Sequence, residues 1–347
     1  MERGIHTRQE ILSQPAAWAQ ALEVVEQARS ALAALWQAEY DQVLFTGCGS
    51  TYYLSLAAAA LFQETTGRIA RAAPGGELLL NPDTILRGGA GPTTRTLLVA
   101  VSRSGSTTET VRAVEQFRRQ QRGPVIVITN YGEQPLAGLG DVALVIPAGQ
   151  ETSVAQTRSF AAMYVAAAAL SLQAAGRETD YQAMAQLPAA GRRLLTAYAD
   201  LAQEIGTSLA FDRFYFLGSG IRYGLACEVN LKMKEMTLTH SEPFHFLEFR
   251  HGPMSMVNPQ AVIVGLVSEK NGAHERTVLN EMRAMGGRIL ALGESDAEIA
   301  FLSGIPEVAR AVLYLPVLQL LAWHRSLAKG LNPDQPNNLT AVVTLDL

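Results

Sequence analysis

The chain has 347 residues, of which 48% are hydrophobic and 17% charged, and its formal net charge is −4. That length suits two domains of ordinary size, and the composition is too apolar for a disordered chain. The small negative charge argues against a nucleic-acid-binding surface, and Cys48 and Cys227, in separate halves, offer neither a disulfide framework nor zinc-ligand spacing. The start, Met-Glu-Arg-Gly-Ile-His, has no apolar signal core, and the apolar runs 160–172 and 312–323 are too short to span a bilayer. A cytoplasmic protein with no membrane or nucleic-acid partner is therefore expected.

In chain order, Ile11, Trp18, Leu22, Val25, Leu32 and Leu35 recur at helical spacing, with Pro15 marking a helix start. Gln42-Val-Leu-Phe-Thr-Gly-Cys-Gly-Ser predicts a buried strand running into a glycine-rich turn, and an alanine-rich helix follows over 52–65. Thr96-Leu-Leu-Val-Ala-Val-Ser predicts a second strand, followed by a polar loop and a helix to Gln121. Pro124-Val-Ile-Val-Ile-Thr is a third, and 142–146 a weaker fourth. Continuous apolar runs alternating with helices indicate a parallel sheet covered on both faces.

The second half repeats this order. Phe214-Tyr-Phe-Leu-Gly-Ser-Gly echoes the first strand and turn, and Ala261-Val-Ile-Val-Gly-Leu-Val-Ser echoes the second. Gly286-Gly-Arg-Ile-Leu-Ala-Leu echoes the third strand, and Ala311-Val-Leu-Tyr-Leu-Pro the fourth. The offset is about 160–170 residues each time, which implies two copies of one fold. The expected layout is an N-terminal helical segment (1–39), a first lobe (40–195), a second lobe (196–330) and an extended tail (331–347). The linker is expected within 179–210.

The run Ser102-Arg-Ser-Gly-Ser-Thr-Thr-Glu-Thr leaves a buried strand and opens a helix. Ligands of open α/β sheets sit at such carboxyl ends, and a helix N-terminus suits an anion. Ser102, Ser104, Ser106 and Thr107 add hydroxyls, while Gly105 lets the backbone turn closely. One such serine would be an ordinary helix cap. Four hydroxyls and a glycine in six residues suit a compact terminal phosphate.

This run resembles the signature loop of the sugar isomerase (SIS) domain family. The resemblance continues through Glu151-Thr-Ser-Val-Ala-Gln-Thr-Arg-Ser-Phe, Leu231-Lys-Met-Lys-Glu and Glu248-Phe-Arg-His-Gly-Pro to Asp334-Gln-Pro-Asn-Asn-Leu-Thr. The chain as a whole is similar to the isomerase half of glucosamine-6-phosphate synthase, and to related sugar-phosphate isomerases, deaminases and deglycases. The resemblance implies two tandem flavodoxin-like α/β lobes, each a three-layer αβα arrangement around a parallel sheet. It implies that Thr51, Ser102, Ser104 and Thr107 contact the phosphate and that Ser50, Val154 and Ala155 line the sugar. Arg103 stands where the synthase has a neutral amide side chain, and its charge could strengthen a phosphate contact. Arg158 follows the synthase's lysine at that position.

Glu228, Lys232, Glu235 and Thr239 form a stripe at spacing 4, 3, 4 beside an apolar stripe of Ala226, Val229, Met233 and Met236. By spacing alone the charged stripe reads better as a solvated face carrying a Glu228–Lys232 pair. The resemblance matches Glu235 to the family's catalytic base and Lys232 to its substrate-side lysine. It matches His251, in Phe249-Arg-His-Gly-Pro, to a ring-opening histidine that reaches across from a partner subunit. That implies a homodimer with a shared site. His240, Glu242, His245, Glu248 and His251 cluster without compact ligand spacing, so neither metal nor cofactor is expected.

Ala341 occupies the place of the synthase's C-terminal lysine, and no cysteine near the start is available to attack glutamine. The expected activity is isomerisation or deamination of a hexose- or hexosamine-6-phosphate by ring opening and C1/C2 proton transfer, without glutaminase activity. The alternatives are deglycation of a phosphorylated fructosamine, or a sugar-phosphate sensor without catalysis.

Overall fold

The computed structural model describes residues 3–86 and 95–345. The first sheet contains β1 (Gln42–Gly47), β2 (Ala70–Pro74), β3 (Thr96–Ser102), β4 (Val125–Thr129) and β5 (Val142–Val145) in the order β2-β1-β3-β4-β5. The second contains β6 (Arg213–Leu217), β7 (His240–Phe244), β8 (Ala261–Leu266), β9 (Arg288–Gly293) and β10 (Ile299–Ala300) in the order β10-β9-β8-β6-β7. Read from the other edge, the second order is the first repeated. Every pairing is parallel, with Phe45 opposite Val99 and Tyr215 opposite Ile263 at the centres. This is the flavodoxin-like strand order, twice.

Every residue of β1, β3, β4 and β8 is buried, which is why these strands read as unbroken apolar runs. Leu44, Leu98 and Val127 pack with Val114 and Phe117 of helix Thr108–Arg119. In the second core Tyr215, Leu217 and Ile263 pack with Val278 and Met282 of helix Gly272–Ala284. Helix Arg158–Ala174 is buried from Ser159 to Leu172. Among the described residues no helix is long and apolar enough to cross a membrane.

The chain divides into two compact units. The first-sheet unit comprises Ala16–Glu151, Arg158–Ala185 and Thr340–Leu347, and the second-sheet unit Met1–Pro15, Thr152–Thr157 and Gln186–Leu339. Of the lobe expected over 40–195, the stretches 152–157 and 186–195 fall in the second-sheet unit, and 340–347 of the expected tail falls in the first. Hydrogen bonds explain 152–157 and 340–347. Val154 N donates to Asp334 O within the second-sheet unit, whereas Arg103 donates to Ala341 O within the first.

Two sequence expectations are corrected. Pro15 does not start a helix; it lies inside helix Ile5–Gln27. A proline there leaves the carbonyl four residues back without its helical N–H. That carbonyl belongs to Ile11, and Gln14 Nε2 supplies the missing donor at 2.8 Å while also reaching Gln319 Oε1 at 2.9 Å. The run Ala311-Val-Leu-Tyr is likewise not the fourth strand of the repeat. It is a 3₁₀ helix, Ala311–Tyr314, whose N–H groups bond locally (Leu313 to Arg310, Leu315 to Val312), and the fifth place in the sheet goes to β10.

Gln14 is fully buried. Replacing it with leucine keeps the volume but strands the Ile11 carbonyl, so Gln14→Leu should cost about 1–3 kcal/mol of stability. A shift of the urea midpoint checks this, and an unchanged midpoint would show that the proline is compensated elsewhere.

Candidate functional site

The loop 102–107 leaves β3 and turns into helix Thr108–Arg119. Gly105 has a φ of 66°, and a Cβ built there would lie 2.9 Å from Gln134 Cβ. Only glycine suits both conditions. The loop's carbonyls are turned into the protein: Arg103 O accepts from Asn130 N (3.2 Å) and Thr129 Oγ1 (3.3 Å), and Gly105 O from Leu136 N (3.0 Å). Its hydroxyls gather instead around Thr107, with Ser102 Oγ at 3.5 Å and Ser104 Oγ at 3.4 Å from Thr107 Oγ1. Thr107 is the residue that starts the helix, yet its side chain makes no capping bond. Hydroxyl donors at a helix N-terminus suit an anion, although the tail reaches the same end, where Val343 O accepts from Thr108 N at 3.4 Å.

Arg103 is held differently. Its guanidinium is 6% exposed, donates to Ala341 O at 2.5 Å and lies 3.9 Å from Glu151 Oε2. Its charge is therefore matched inside the unit, next to the tail residue Ala341. A pocket of about 170 Å3 lies beside it, lined by Ser104, Ser106, Tyr131, Gln134 and Val342 among others. Arg158 is no surface charge either, because it donates to Gln150 O.

Ser50 and Thr51 open helix Ser50–Thr66, and both are buried. Thr51 Oγ1 accepts from Cys48 N (2.9 Å) and donates to Cys48 O (3.0 Å), so it fastens the turn after β1. Burial pushes the Cys48 thiol up, with Glu109 acting in the same direction against a hydrogen bond from Thr110. Cys48 is accordingly a poor nucleophile.

The second-sheet unit repeats this backbone with different side chains. Gly49 (φ 57°, ψ −122°) and Gly220 (φ 57°, ψ −128°) take the same turn after β1 and β6. Where the first copy has Thr51, the second has Arg222, paired with Glu307 at 2.9 Å. After β8, the strand registers set Val267 in the place of Ser102 and Ser268 in that of Arg103. There Glu275, 2% exposed, accepts from Ser268 N (2.6 Å) and Ser268 Oγ (2.9 Å). The protein's own carboxylate thus closes the turn after β8.

Helix Ile221–Thr237 carries the charged stripe, which is not a solvated face. Lys232 is 1% exposed, with Nζ 2.6 Å from Glu235 Oε2 and 3.4 Å from Glu228 Oε1. The Glu228 side chain is fully buried, while Glu235 keeps 19% of its side chain exposed. An ammonium removed from water needs such partners. Glu235 is the end of the triad that solvent, or a substrate, can reach.

His251 is exposed and follows the 3₁₀ turn Glu248–Arg250, donating its N–H to Glu248 O at 2.9 Å. The turn is anchored by Phe249, whose ring lies 5.1 Å from Tyr215 and 5.3 Å from Phe244. Among the described residues no three His, Cys, Asp or Glu side chains converge as a metal site. Ala155 is buried and Val154 half-buried in the segment Thr152–Thr157. The structure thus brings Ser102, Ser104 and Thr107 together in one unit, and Lys232 and Glu235 together in the other. Sequence reading gave no role to Glu151, Glu10 or Asp334, since each binds a partner that no local spacing announces.

The SIS domain profile matches residues 35–172 and 211–303. The chain belongs to the SIS domain family. It is 28% identical over 345 residues to a glutamine–fructose-6-phosphate aminotransferase (isomerizing) of Methanothermobacter thermautotrophicus, covering 95% of this chain and 54% of that protein. It thus spans about half the length of the curated relatives it matches. Among solved structures it is similar to the glucosamine-6-phosphate deaminase of Thermotoga maritima, with 26% identity, TM-score 0.78 and coverage of 98% and 100% of the two chains. It is also similar to the tagatose-6-phosphate ketose/aldose isomerase of Escherichia coli, with 26% identity, TM-score 0.84 and coverage of 97% and 96%.

At Gly105 an alanine would meet both a left-handed backbone and a close neighbour. Gly105→Ala should cost at least about 1–2 kcal/mol in backbone strain and weaken inorganic phosphate binding. Titration calorimetry checks the binding, and undiminished affinity would move the anion site off this loop.

Proposed function

We propose that this chain is a phosphosugar isomerase or isomerising deaminase acting on a hexose- or hexosamine-6-phosphate. The observation that carries the reading is the Lys232–Glu235 pair at 2.6 Å, buried at the lysine and open at the glutamate. A carboxylate held beside a cation can remove a proton from carbon next to a carbonyl and return it to the neighbouring carbon. Full-length similarity to a glucosamine-6-phosphate deaminase and to a ketose/aldose isomerase supports the substrate class.

Ser102, Ser104 and Thr107 hold the phosphate; Arg103 braces their loop, and Thr51 fastens the turn after β1. Ser50, Val154 and Ala155 line the sugar, and His251 opens its ring. Glu235 then takes the C2 proton of the open-chain aldose and delivers it to C1, with Lys232 stabilising the charge on the enediol. With a hydroxyl at C2, the product is the ketose. With an amine at C2, proton transfer gives a C2 imine, and water hydrolyses it to the ketose and ammonia. An amino-sugar phosphate is the favoured substrate, and the reaction needs no cofactor. The protein works in the cytoplasm as a homodimer, His251 serving the partner's site.

Coupled assays over a panel of sugar phosphates test this. Glu235→Gln should lower turnover by about 10²–10⁴-fold, and unchanged turnover removes Glu235 from the chemistry. Sugar-phosphate binding with no turnover across the panel would favour the sensor instead. Mixing inactive His251→Ala and Glu235→Gln subunits should restore up to about a quarter of wild-type activity, since a symmetric dimer then regains one complete site in half of its assemblies. No recovery on mixing places both residues in one subunit's site.

A further inference from the structure

The segment Thr152–Thr157 carries Val154 and Ala155 but has no helix or strand to hold it. Its backbone groups must find partners elsewhere. In the second-sheet unit they find them on one face of the N-terminal helix and in the turn around Asp334.

Thr7, Glu10 and Gln14 follow one another at spacing 3 and 4 on helix Ile5–Gln27, and all three are buried polar residues. Glu10, 4% exposed, accepts from Thr152 N (2.7 Å) and Ser153 N (3.2 Å) on one carboxylate oxygen and from Ser153 Oγ on the other. Thr7 holds the Asp334 carboxylate through its N–H (2.8 Å) and its hydroxyl (2.7 Å), and Asp334 O in turn accepts from Val154 N (2.9 Å). Gln14 donates to Gln319 Oε1, whose own amide donates to Thr157 O at 3.2 Å. One helix face thus reaches the start, the middle and the end of the segment.

We propose that Glu10 is a positioning residue for the sugar-lining segment, and that the stripe Thr7–Glu10–Gln14 sets where Val154 and Ala155 stand. The proposal rests on the function given above. A carboxylate offers acceptors on both oxygens and can take two amides and a hydroxyl together. Glutamine keeps the shape but turns a donor toward one of these donors. The segment should then move, and misplacement of about 1 Å near a substrate can cost 10²-fold in rate. The phosphate loop belongs to the other unit and should be unaffected.

The test compares wild type with Glu10→Gln in the full chain. Three results are expected. kcat/KM for the sugar phosphate falls by about 10–100-fold, inorganic phosphate affinity stays unchanged, and amide hydrogen exchange quickens at Thr152, Ser153 and Val154. A variant that is merely less stable would show a lower Tm with kcat, KM and exchange at these amides unchanged, and that overturns the proposal. If Glu10→Gln does not fold, Glu10→Asp keeps the acceptor oxygens but withdraws them by one methylene from Thr152 and Ser153; it should raise KM severalfold, and an unchanged KM overturns the proposal. The two readings fail separately. A wild type that neither binds nor turns over any sugar phosphate sinks the function, whereas an active wild type with an equally active Glu10→Gln sinks only the role of Glu10.

Discussion

Parallel strands oblige the chain to cross back over the sheet before the next strand can begin. Each crossing leaves a loop at the carboxyl edge and a helix N-terminus facing it. In this protein the turn after β1 and the loop after β3 both arise that way, and so do their copies after β6 and β8. The strand order sets adjacent crossings on opposite faces around β1 and β3, which opens a crevice at the edge of the sheet. The cradle of Ser102, Ser104 and Thr107 is the product of that geometry plus a glycine that can turn at φ 66°.

The helix that carries Lys232 and Glu235 depends on a different constraint. Lys232 is almost completely out of water, and a buried ammonium without partners would shed its proton. Glu228 at i−4 and Glu235 at i+3 provide those partners from the same helix, without help from a loop. Chemistry held on a rigid element keeps its distances when neighbouring loops move. The asymmetry of burial between the two carboxylates gives them separate duties. The enclosed one balances the charge, and the accessible one faces whatever binds.

Much of this could be read in the sequence because the signals were contiguous. β1, β3, β4, β6, β8 and β9 lie inside their sheets and carry apolar runs. Of the edge strands only β5 could be read, as the weaker fourth, and β2, β7 and β10 could not. β2 is Ala-Arg-Ala-Ala-Pro and β7 is His-Ser-Glu-Pro-Phe, half in water, with a proline that only an edge tolerates. β10 is two residues long, and the more apolar run at 311 drew the assignment away from it. The site divides in the same way. The hydroxyl loop and the Lys232 stripe are local patterns, whereas Glu10 finds Ser153 across 143 residues and Arg103 finds Ala341 across 238. Long-range polar pairing leaves no periodicity, and Pro15 misled because its compensation lies in one neighbouring side chain.

Glu275 gives the duplicated fold an unequal thermodynamics. A carboxylate tethered to its own loop acts at a fixed effective concentration that no change in the surroundings can dilute. The turn after β8 is therefore closed whatever the supply of anions. A ligand held at residues 102–107 stabilises its unit only in proportion to the logarithm of its free concentration over its dissociation constant. On the proposed function, one half of the chain would thus follow the surrounding pool of ligand, while the turn after β8 stays a constant frame.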